Sequence, residues 1–353
     1  MYGYELDFLP VEAAGGGGTK SGDAIAGRLW LPDGSCRVIV VDGGHSAIGE
    51  DLIDHIDTYY GTYTVDIVVS THPDNDHLNG LLRVVEQMRV GELLIHQPRN
   101  HLAPADVAYF TNIAMVDAVI DAAESRGVTV AEPFTGLTRW GGQLRVLGPT
   151  EEFYEYLIGE HIREERSSPG AAAARAAAKA YSAVRSAGLD VLSRTLPFLP
   201  VETLEENPQT SHRNNSSAVL LLRSADDHRI LLTGDAGVSA LSLAAAEYER
   251  LFGSFFSQPL NVFQLPHHGS RNNVSPSLLD RIIGSIGSVD TVSAVISSAK
   301  ASPHHPSPKV TNAALRRGAH VVATEGRTVC AYAGLPRPGW APVPGVRPLD
   351  EDD

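Results

Sequence analysis

The stretch VDIVVSTHPDNDH, residues 65–77, decides how the rest of the chain is interpreted. Residues 65–70 form a β-branched run typical of a buried strand, and this strand leads directly into a polar loop. The loop places four groups of metal-binding type within six residues: His72, Asp74, Asp76 and His77. Imidazole and carboxylate groups are ligands for divalent metals, so the pattern predicts a metal site. The alternative is a polar turn whose aspartates cap a helix that begins near Leu78.

The same arrangement recurs where other predicted strands end. Residues 38–41 form a β-branched run that ends in Asp42, and residues 230–232 lead through Gly234 to Asp235. Because glycine lets the backbone approach closely, the Asp235 carboxylate is placed to bridge two cations. A single Gly-Asp pair after a strand is usually an ordinary turn, so the recurrence carries the prediction.

Two pairs of histidines follow the last strands that would reach the same rim. His267 and His268 come after one predicted strand, and His304 and His305 come after the next. Adjacent histidines do not readily face the same metal, so either His267 or His268 is expected to be a ligand and the other a neighbour or proton donor. An exposed loop position is the alternative for His304 and His305.

Strands and helices alternate in both halves of the chain, and most strands end in polar residues. This pattern predicts an α/β fold, an αββα sandwich of two mixed sheets flanked by helices, with a site on one rim. Residues 321–324 and 328–332 are expected to form a closing strand pair. We expect a single domain over residues 1–345 and an acidic tail at residues 346–353.

A charged and Ala-rich segment at about residues 151–195 separates the two halves. Alanine has the highest helix propensity, so this insert is expected to be mainly helical. We predict that it lies beside the site as a substrate-facing lid or wall, with structural cover or an oligomer contact as the alternative. Its candidate nucleic-acid contacts, which a solvated helix face would equally explain, are Arg163, Arg166, Arg175, Lys179 and Arg185.

Composition narrows the class of protein. The formal net charge of -14 disfavours a large basic surface for binding nucleic acid. Cys36 and Cys330 lack CxxC spacing and are expected to be free thiols. Residues 1–10 carry Glu5 and Asp7 rather than a basic stretch, and no run of about 18 uncharged apolar residues occurs. We therefore expect a soluble, cytoplasmic chain with no membrane partner.

The ordered motifs resemble those of the metallo-β-lactamase superfamily, and in particular the hydrolase domain of ComEC-type competence proteins. The resemblance covers about residues 6–333, apart from the Ala-rich insert. The motifs that carry it are Asp42-Gly-Gly, His72-Pro-Asp-Asn-Asp-His77, Thr-Gly-Asp235 and His267-His-Gly-Ser270, with support from Asn214-Asn-Ser-Ser217 and His305-Pro-Ser-Pro308.

The resemblance implies two divalent metal ions, zinc or manganese. Asp42 would order the site from behind, and Asp235 would bridge the two ions. The implied ligands are His72 and Asp74 for the first metal, and Asp76, His77 and His267 for the second. Asp74 stands where the superfamily usually has histidine, a departure shared by the ComEC-type branch, and an oxygen ligand there favours manganese or a mixed pair over zinc alone. A further ligand of the first metal is expected from His212, Asn214 or Asn215.

These features predict a metal-dependent hydrolase, specifically a phosphodiesterase or nuclease that uses a metal-bound hydroxide. Asp76 would orient the hydroxide, and His268 or His305 would donate a proton to the leaving oxygen or bind the oxyanion. The expected partner is a phosphoester substrate, which includes nucleic acid. The alternatives are a hydrolase of a small ester, nucleotide or lipid head group, and a non-catalytic binding module on the same fold.

Overall fold

A computed structural model describes residues 3–12, 18–167, 202–334 and 337–351. Within these residues, two seven-stranded sheets pack face to face and carry helices on their outer faces. The expected αββα sandwich of two mixed sheets is therefore confirmed.

The first sheet contains the strands of the N-terminal half and one strand from near the C-terminus. Its strands are β1 (Tyr4–Phe8), β2 (Ala24–Trp30), β3 (Cys36–Gly43), β4 (Thr64–Val69), β5 (Arg89–Leu94), β6 (Thr129–Ala131) and β14 (Val329–Ala333). Their order is β14-β1-β2-β3-β4-β5-β6. Strands β3 to β6 are parallel, and β14, β1, β2 and β3 pair antiparallel. The carboxyl ends of β3 and β4 therefore meet at one rim.

The second sheet is also mixed. Its strands are β7 (Thr138–Arg139), β8 (Leu144–Gly148), β9 (Val219–Arg223), β10 (Arg229–Leu232), β11 (Val262–Gln264), β12 (Ser293–Ile296) and β13 (His320–Ala323). Their order is β13-β12-β11-β10-β9-β8-β7, and β10 to β13 are parallel. The polar residues that follow β10, β11 and β12 consequently share a rim as well.

The helices form the outer layers and the connections. They are α1 (Ile48–His55, continued by a π-helical turn Ile56–Tyr60), α2 (Asn75–Leu78), α3 (Leu81–Gln87), α4 (Pro98–His101), α5 (Ile113–Ser125), α6 (Glu151–Arg166), α7 (His212–Asn215), α8 (Val238–Phe252), α9 (Pro266–Gly269), α10 (Pro276–Ile282) and α11 (Pro308–Arg316). Helices α1, α3 and α5 contribute to the core outside the first sheet, and α8, α10 and α11 to the core outside the second.

Strand residues alternate between the two faces of each sheet, which produces three stacked cores. On β3, Ile39 and Val41 face the core between the sheets, whereas Val40 faces the helices. On β9, Leu220 faces the inner core and Leu221 the outer one. Each such side chain, when fully buried, contributes roughly 1.5–3 kcal/mol. The strands are therefore apolar on both faces, as their uninterrupted β-branched runs indicate.

The expectation of a closing strand pair was wrong. β13 pairs with β12 in the second sheet, whereas β14 pairs with β1 in the first. The chain crosses from one sheet to the other between Ala323 and Val329, although so short a connection is typical of a hairpin. Within the segment predicted as an acidic tail, Leu349 and Glu351 hydrogen-bond to Asn312 of α11.

Only the start of the predicted insert belongs to the described part of the chain. It forms α6, whose N-cap Thr150 accepts a hydrogen bond from the Phe153 amide. The Ala-rich residues 168–201, with Arg175, Lys179 and Arg185, lie outside the described residues. Among the described helices, none is long and apolar enough to cross a membrane.

Candidate metal centre

Asp42 organises the rim of the first sheet. It adopts a left-handed conformation with φ of 57° at the end of β3 and is fully buried. Its carboxylate accepts hydrogen bonds from the Thr71 amide at 2.8 Å, the Thr71 hydroxyl at 2.6 Å and His77 Nδ1 at 2.8 Å. The loop after β4 is thereby fixed to the loop after β3. This carboxylate also leaves Nε2 of His77 free to bind a cation.

The loop after β4 presents its histidines in a fixed orientation. The Thr71 hydroxyl donates to Asp42, so its remaining lone pair accepts the Nδ1 proton of His72 at 3.1 Å. Nε2 of His72 is then unprotonated. The Asp74 backbone carbonyl accepts hydrogen bonds from the His77 and Leu78 amides of α2, whereas the Asp74 side chain does not cap that helix. Helix capping therefore does not explain this carboxylate.

Asp235 lies at the centre of the ligand cluster. Gly234, with φ of 49°, brings it there, and a Cβ on this glycine would lie 2.7 Å from the Thr71 hydroxyl oxygen. Asp235 Oδ2 lies 3.6 Å from His72 Nε2, and Asp235 Oδ1 lies 3.3 Å from His77 Nε2. Two ligands that share a tetrahedral cation at about 2.1 Å are separated by about 3.4 Å. The spacing therefore suits a carboxylate that bridges two cations.

His267 and His268 approach opposite sides of Asp235. Both have left-handed φ values, 48° and 56°, a conformation that is uncommon outside glycine and is adopted more often by asparagine, aspartate and histidine than by other residues. His267 Nε2 lies 3.5 Å from Asp235 Oδ2, whereas His268 Nε2 lies 4.0 Å from Asp235 Oδ1 and 3.8 Å from Asp76 Oδ2. The strained turn thus separates two adjacent imidazoles, so that each faces a different oxygen of the bridging carboxylate.

The cluster therefore divides into two groups around Asp235. Around Oδ2 lie His72 and His267, with Asp74 Oδ2 at 3.9 Å from His72 Nε2. Around Oδ1 lie Asp76, His77 and His268. The sequence resemblance implied that His267 completes the second centre, and either His268 or His305 was expected to donate a proton or bind the oxyanion. By distance, His267 lies nearer to the Oδ2 group and His268 nearer to the Oδ1 group.

The donor atoms of this cluster fit a bound cation. His72 Nε2, His77 Nε2, Asp235 Oδ1 and both ring nitrogens of His268 are buried and have no hydrogen-bond partner in the described part of the chain. A buried polar atom without a partner costs about 1–3 kcal/mol, so a cluster of them requires an explanation. The atoms converge on shared positions, and a cation at each position would satisfy them together.

The charges of the cluster are strongly coupled. Burial disfavours a charged His77, but the carboxylates of Asp235 and Asp42 outweigh it and raise the pKa of His77 well above its usual value. Burial likewise disfavours the Asp235 carboxylate, but the surrounding imidazoles, led by His267, hold the pKa of Asp235 well below its usual value. A proton on His77 therefore stands where a cation would bind, and cation binding would release it.

An arginine that the motif analysis did not single out lies at the edge of the cluster. Arg213, on α7, forms an ion pair with Asp74 Oδ1, and α7 packs on α6. Its neighbour His212 faces Glu164 of α6 at 3.6 Å, away from the ligand group. Asn214 instead donates to Asp235 Oδ2 at 3.2 Å. Asn214 thus reaches the cluster through its amide nitrogen, which donates to Asp235 and is not itself a metal-binding atom.

An open cleft of about 580 Å³ gives access to the cluster. Its lining includes Asp74, Asp76, His267 and His268, and its basic lining residues within the described part of the chain are Lys20 and Arg213. His304 and His305 form another wall, and the His305 and His267 ring centroids are 5.6 Å apart. Burial lowers the pKa of His305 to about 3, so this imidazole is neutral at pH 7.

Asp23 is a second residue that sequence reasoning missed. It precedes β2 and is 1% exposed. The distance between its Oδ2 and Nδ1 of His77 is 3.7 Å. Burial raises the pKa of Asp23. The only sequence signal was a carboxylate at the head of an otherwise apolar strand.

Comparisons with known proteins gave similarities at the level of structure alone. No family model matches the chain, and no curated protein matches it. One similar solved structure is a putative metallo-beta-lactamase from Thermotoga maritima, with 12% identity over 66% of this chain and 78% of that chain and a TM-score of 0.34. Another is a long form RNase Z from yeast, with 8% identity over 91% of this chain, 37% of that chain and a TM-score of 0.35.

Proposed function

We propose that this chain is a metal-dependent hydrolase of phosphodiester bonds. The observation that carries the proposal is the convergence of imidazole and carboxylate atoms on both oxygens of Asp235. Among the described residues, Nε2 of His72, His77 and His268 and Oδ1 of Asp235 have no hydrogen-bond partner. A binding module needs no such concentration of buried charge at the base of an open cleft. Buried unsatisfied polar groups persist where function requires them.

Each centre combines nitrogen and oxygen donors. The first would be held by His72, His267, Asp74 and Asp235, and the second by Asp76, His77, His268 and Asp235. When bound, a pair of divalent cations supplies a nucleophilic water near neutral pH and neutralises charge on a phosphoryl oxygen. Mixed imidazole and carboxylate donors suit zinc and manganese, and the carboxylates favour the harder manganese ion.

The side chains of the cleft have complementary roles in this proposal. Asp76 is partly exposed and faces the cleft, so its carboxylate is positioned to orient the attacking water. Arg213 presents its guanidinium at the cleft edge, where it would hold a non-bridging phosphate oxygen. His305 is neutral and would donate a hydrogen bond to the leaving oxygen rather than protonate it.

The size and charge of the cleft favour a short substrate over a long nucleic acid. A volume of about 580 Å³ is within the range that holds small ligands. Two basic side chains among the described lining residues are enough for one or two phosphates, whereas nucleic-acid binding relies on many phosphate contacts. A cyclic or short linear phosphodiester is thus the preferred substrate, and nuclease action on long strands is the second candidate.

The deciding experiment combines metal analysis with substrate comparison. Elemental analysis of the purified protein should find close to two divalent ions per chain after loading with manganese or zinc. Hydrolysis is then measured on bis(4-nitrophenyl) phosphate, cyclic nucleotides, dinucleotides, and single-stranded DNA and RNA. Cation-dependent turnover of the small diesters supports the proposal. A protein that binds no cation, or that binds cations and cleaves no phosphoester, contradicts it.

Arg213→Ala is expected to raise KM for small phosphodiesters by about 10- to 100-fold, the loss of one charge-assisted hydrogen bond of about 1.5–3 kcal/mol. Arg213→Lys should recover part of this loss, because an ammonium group keeps the charge but not the two-pronged geometry. The matched control is Arg163→Ala on the adjacent α6, an exposed residue that pairs with Glu160. Equal KM values for both alanine variants, at equal metal content, would remove Arg213 from substrate binding.

A further inference from the structure

Asp23 is held rigidly beneath the candidate metal centre. Its backbone amide donates to the Asp76 carbonyl at 3.1 Å, and its carbonyl accepts from the Gly44 amide at 2.7 Å. The residue is therefore tied both to a loop that carries candidate ligands and to the turn after Asp42. Its side chain is buried, and neither carboxylate oxygen has a hydrogen-bond partner in the described part of the chain. A buried carboxylate in this condition is costly unless a donor faces it.

His77, the nearest imidazole, does not supply that donor. Its Nδ1 lies 3.7 Å from Asp23 Oδ2 but 2.8 Å from Asp42 Oδ2. One ring nitrogen carries one hydrogen, and this hydrogen is donated to Asp42. The partner of Asp23 must therefore be another group.

Three of the four imidazoles in the cluster have an Nδ1 partner. His72 donates to the Thr71 hydroxyl, His77 to Asp42, and His267 Nδ1 lies 3.0 Å from Asn273 Oδ1. In each case Nε2 is the ring nitrogen directed at Asp235. Metal-binding histidines characteristically donate their other ring N–H in this way.

His268 is the fourth imidazole, and it lacks such a partner. It is 3% exposed, and neither ring nitrogen has a hydrogen-bond partner among the described residues. Its Nε2 faces Asp76 and Asp235, which leaves Nδ1 on the opposite side of the ring. Its ring stacks on His77, with the ring centroids 5.4 Å apart, and His77 Nδ1 lies 3.7 Å from Asp23 Oδ2. Among the described residues, the His268 ring and the Asp23 carboxylate are thus a donor and an acceptor without partners, and both lie against His77.

We propose that Asp23 is a positioning residue of this centre, whose carboxylate accepts the Nδ1 hydrogen of His268 through one bridging water. Asp23 thereby holds the hydrogen of His268 on Nδ1, so that Nε2 of His268 would be free to bind a cation at the second position. Asp42 holds the Nδ1 hydrogen of His77 in the same way. The proposal rests on the proposed metal-dependent function. It assigns Asp23 to the second centre alone, because the first-centre imidazoles are already held by Thr71 and Asn273.

Asp23→Asn tests the assignment without changing side-chain size. The expected result is a 10- to 100-fold weaker binding of one of two manganese or zinc equivalents, the usual cost of losing such a partner. The other equivalent should bind as in the wild type. Competition with a fluorescent chelator measures both affinities, and the absorption of the Co²⁺-loaded protein reports the change in ligand geometry. Asp33→Asn, an exposed aspartate remote from the cluster, is the matched control.

The tautomer of His268 gives a readout that needs no variant. In ¹⁵N-histidine spectra of the zinc-loaded wild type, His268 should carry its hydrogen on Nδ1, and Asp23→Ala should weaken that signal. Unchanged affinities in Asp23→Ala, which removes the acceptor altogether, or an Nε2-protonated His268 in the zinc-loaded wild type, would show that Asp23 does not orient His268. A wild-type protein that binds no cation would overturn the proposed function and, with it, this assignment.

Discussion

Asp235→Ala is expected to abolish cation binding at both positions and to lower phosphodiester hydrolysis by on the order of 10³-fold or more. The physical reason is that Asp235 supplies one oxygen to each ligand group, so its removal weakens both. The fold should persist, because the backbone contacts of Asp235 with Ser217 and Asn273 do not involve its carboxylate. Metal analysis, steady-state kinetics and a thermal unfolding curve would measure the three effects.

Asp76→Ala tests one of the two ligand groups around Asp235 independently of the other. Asp76 belongs to the Oδ1 group alone, so this variant should lose activity to a similar extent but keep one cation equivalent. Asp121→Ala, an exposed aspartate on α5, should retain metal content and turnover within a factor of two. Near-native turnover with full metal content in either site variant would contradict a two-cation mechanism.

The sequence predicted the residue types of the cluster because their positions follow from strand ends. In parallel strands the carboxyl ends meet at one rim, and Asp42, His72 and Asp235 each follow a recognisable β-branched or apolar run. Local sequence thus fixes both the element and the point where it ends. The layered architecture could also be predicted from the strand pattern, because strands that are apolar on both faces must be covered by other elements on both faces.

The division of the ligands between two groups could not be predicted in the same way. It depends on the left-handed conformations of His267 and His268, which no local sequence pattern indicates. Asp23 and Arg213 were missed for a different reason. Asp23 meets its neighbours through the pairing of β2 with β3, and Arg213 meets Asp74 across 139 positions of sequence. Such contacts are products of tertiary packing.

A second buried charge cluster ties the C-terminal segment to the first sheet. Asp7 on β1 is fully buried and accepts hydrogen bonds from His55 at 2.8 Å, Tyr60 at 2.7 Å and Arg337 at 2.8 and 3.1 Å. The Arg337 guanidinium also stacks 4.5 Å above the Trp340 ring. Burial disfavours the Asp7 carboxylate, but the bonds from His55 and Arg337 outweigh it and lower the pKa of Asp7.

Because the pKa of Asp7 is lower in the folded protein, the pH range in which this cluster stabilises the fold can be stated. A carboxylate whose pKa is lower in the folded state contributes stability above its unfolded pKa, near 3.9 for aspartate. That contribution declines as the pH falls below this value and is lost once the pH passes through the folded pKa. Asp7→Asn should therefore flatten the acid limb of the stability curve below about pH 4.

Arg337→Ala is expected to lower the free energy of unfolding by about 3–5 kcal/mol, because it leaves the buried Asp7 carboxylate without its cation. Chemical denaturation at pH 7 measures the loss, and Arg327→Ala, an exposed arginine nearby in the sequence, should change stability by less than about 0.5 kcal/mol. In the double variant Asp7→Asn with Arg337→Ala, the loss should be smaller than the sum of the two single losses, because no buried charge then remains unpaired. Additive losses would show that Arg337 stabilises the segment through its stacking on Trp340 and its ion pair with Glu5, and not through Asp7.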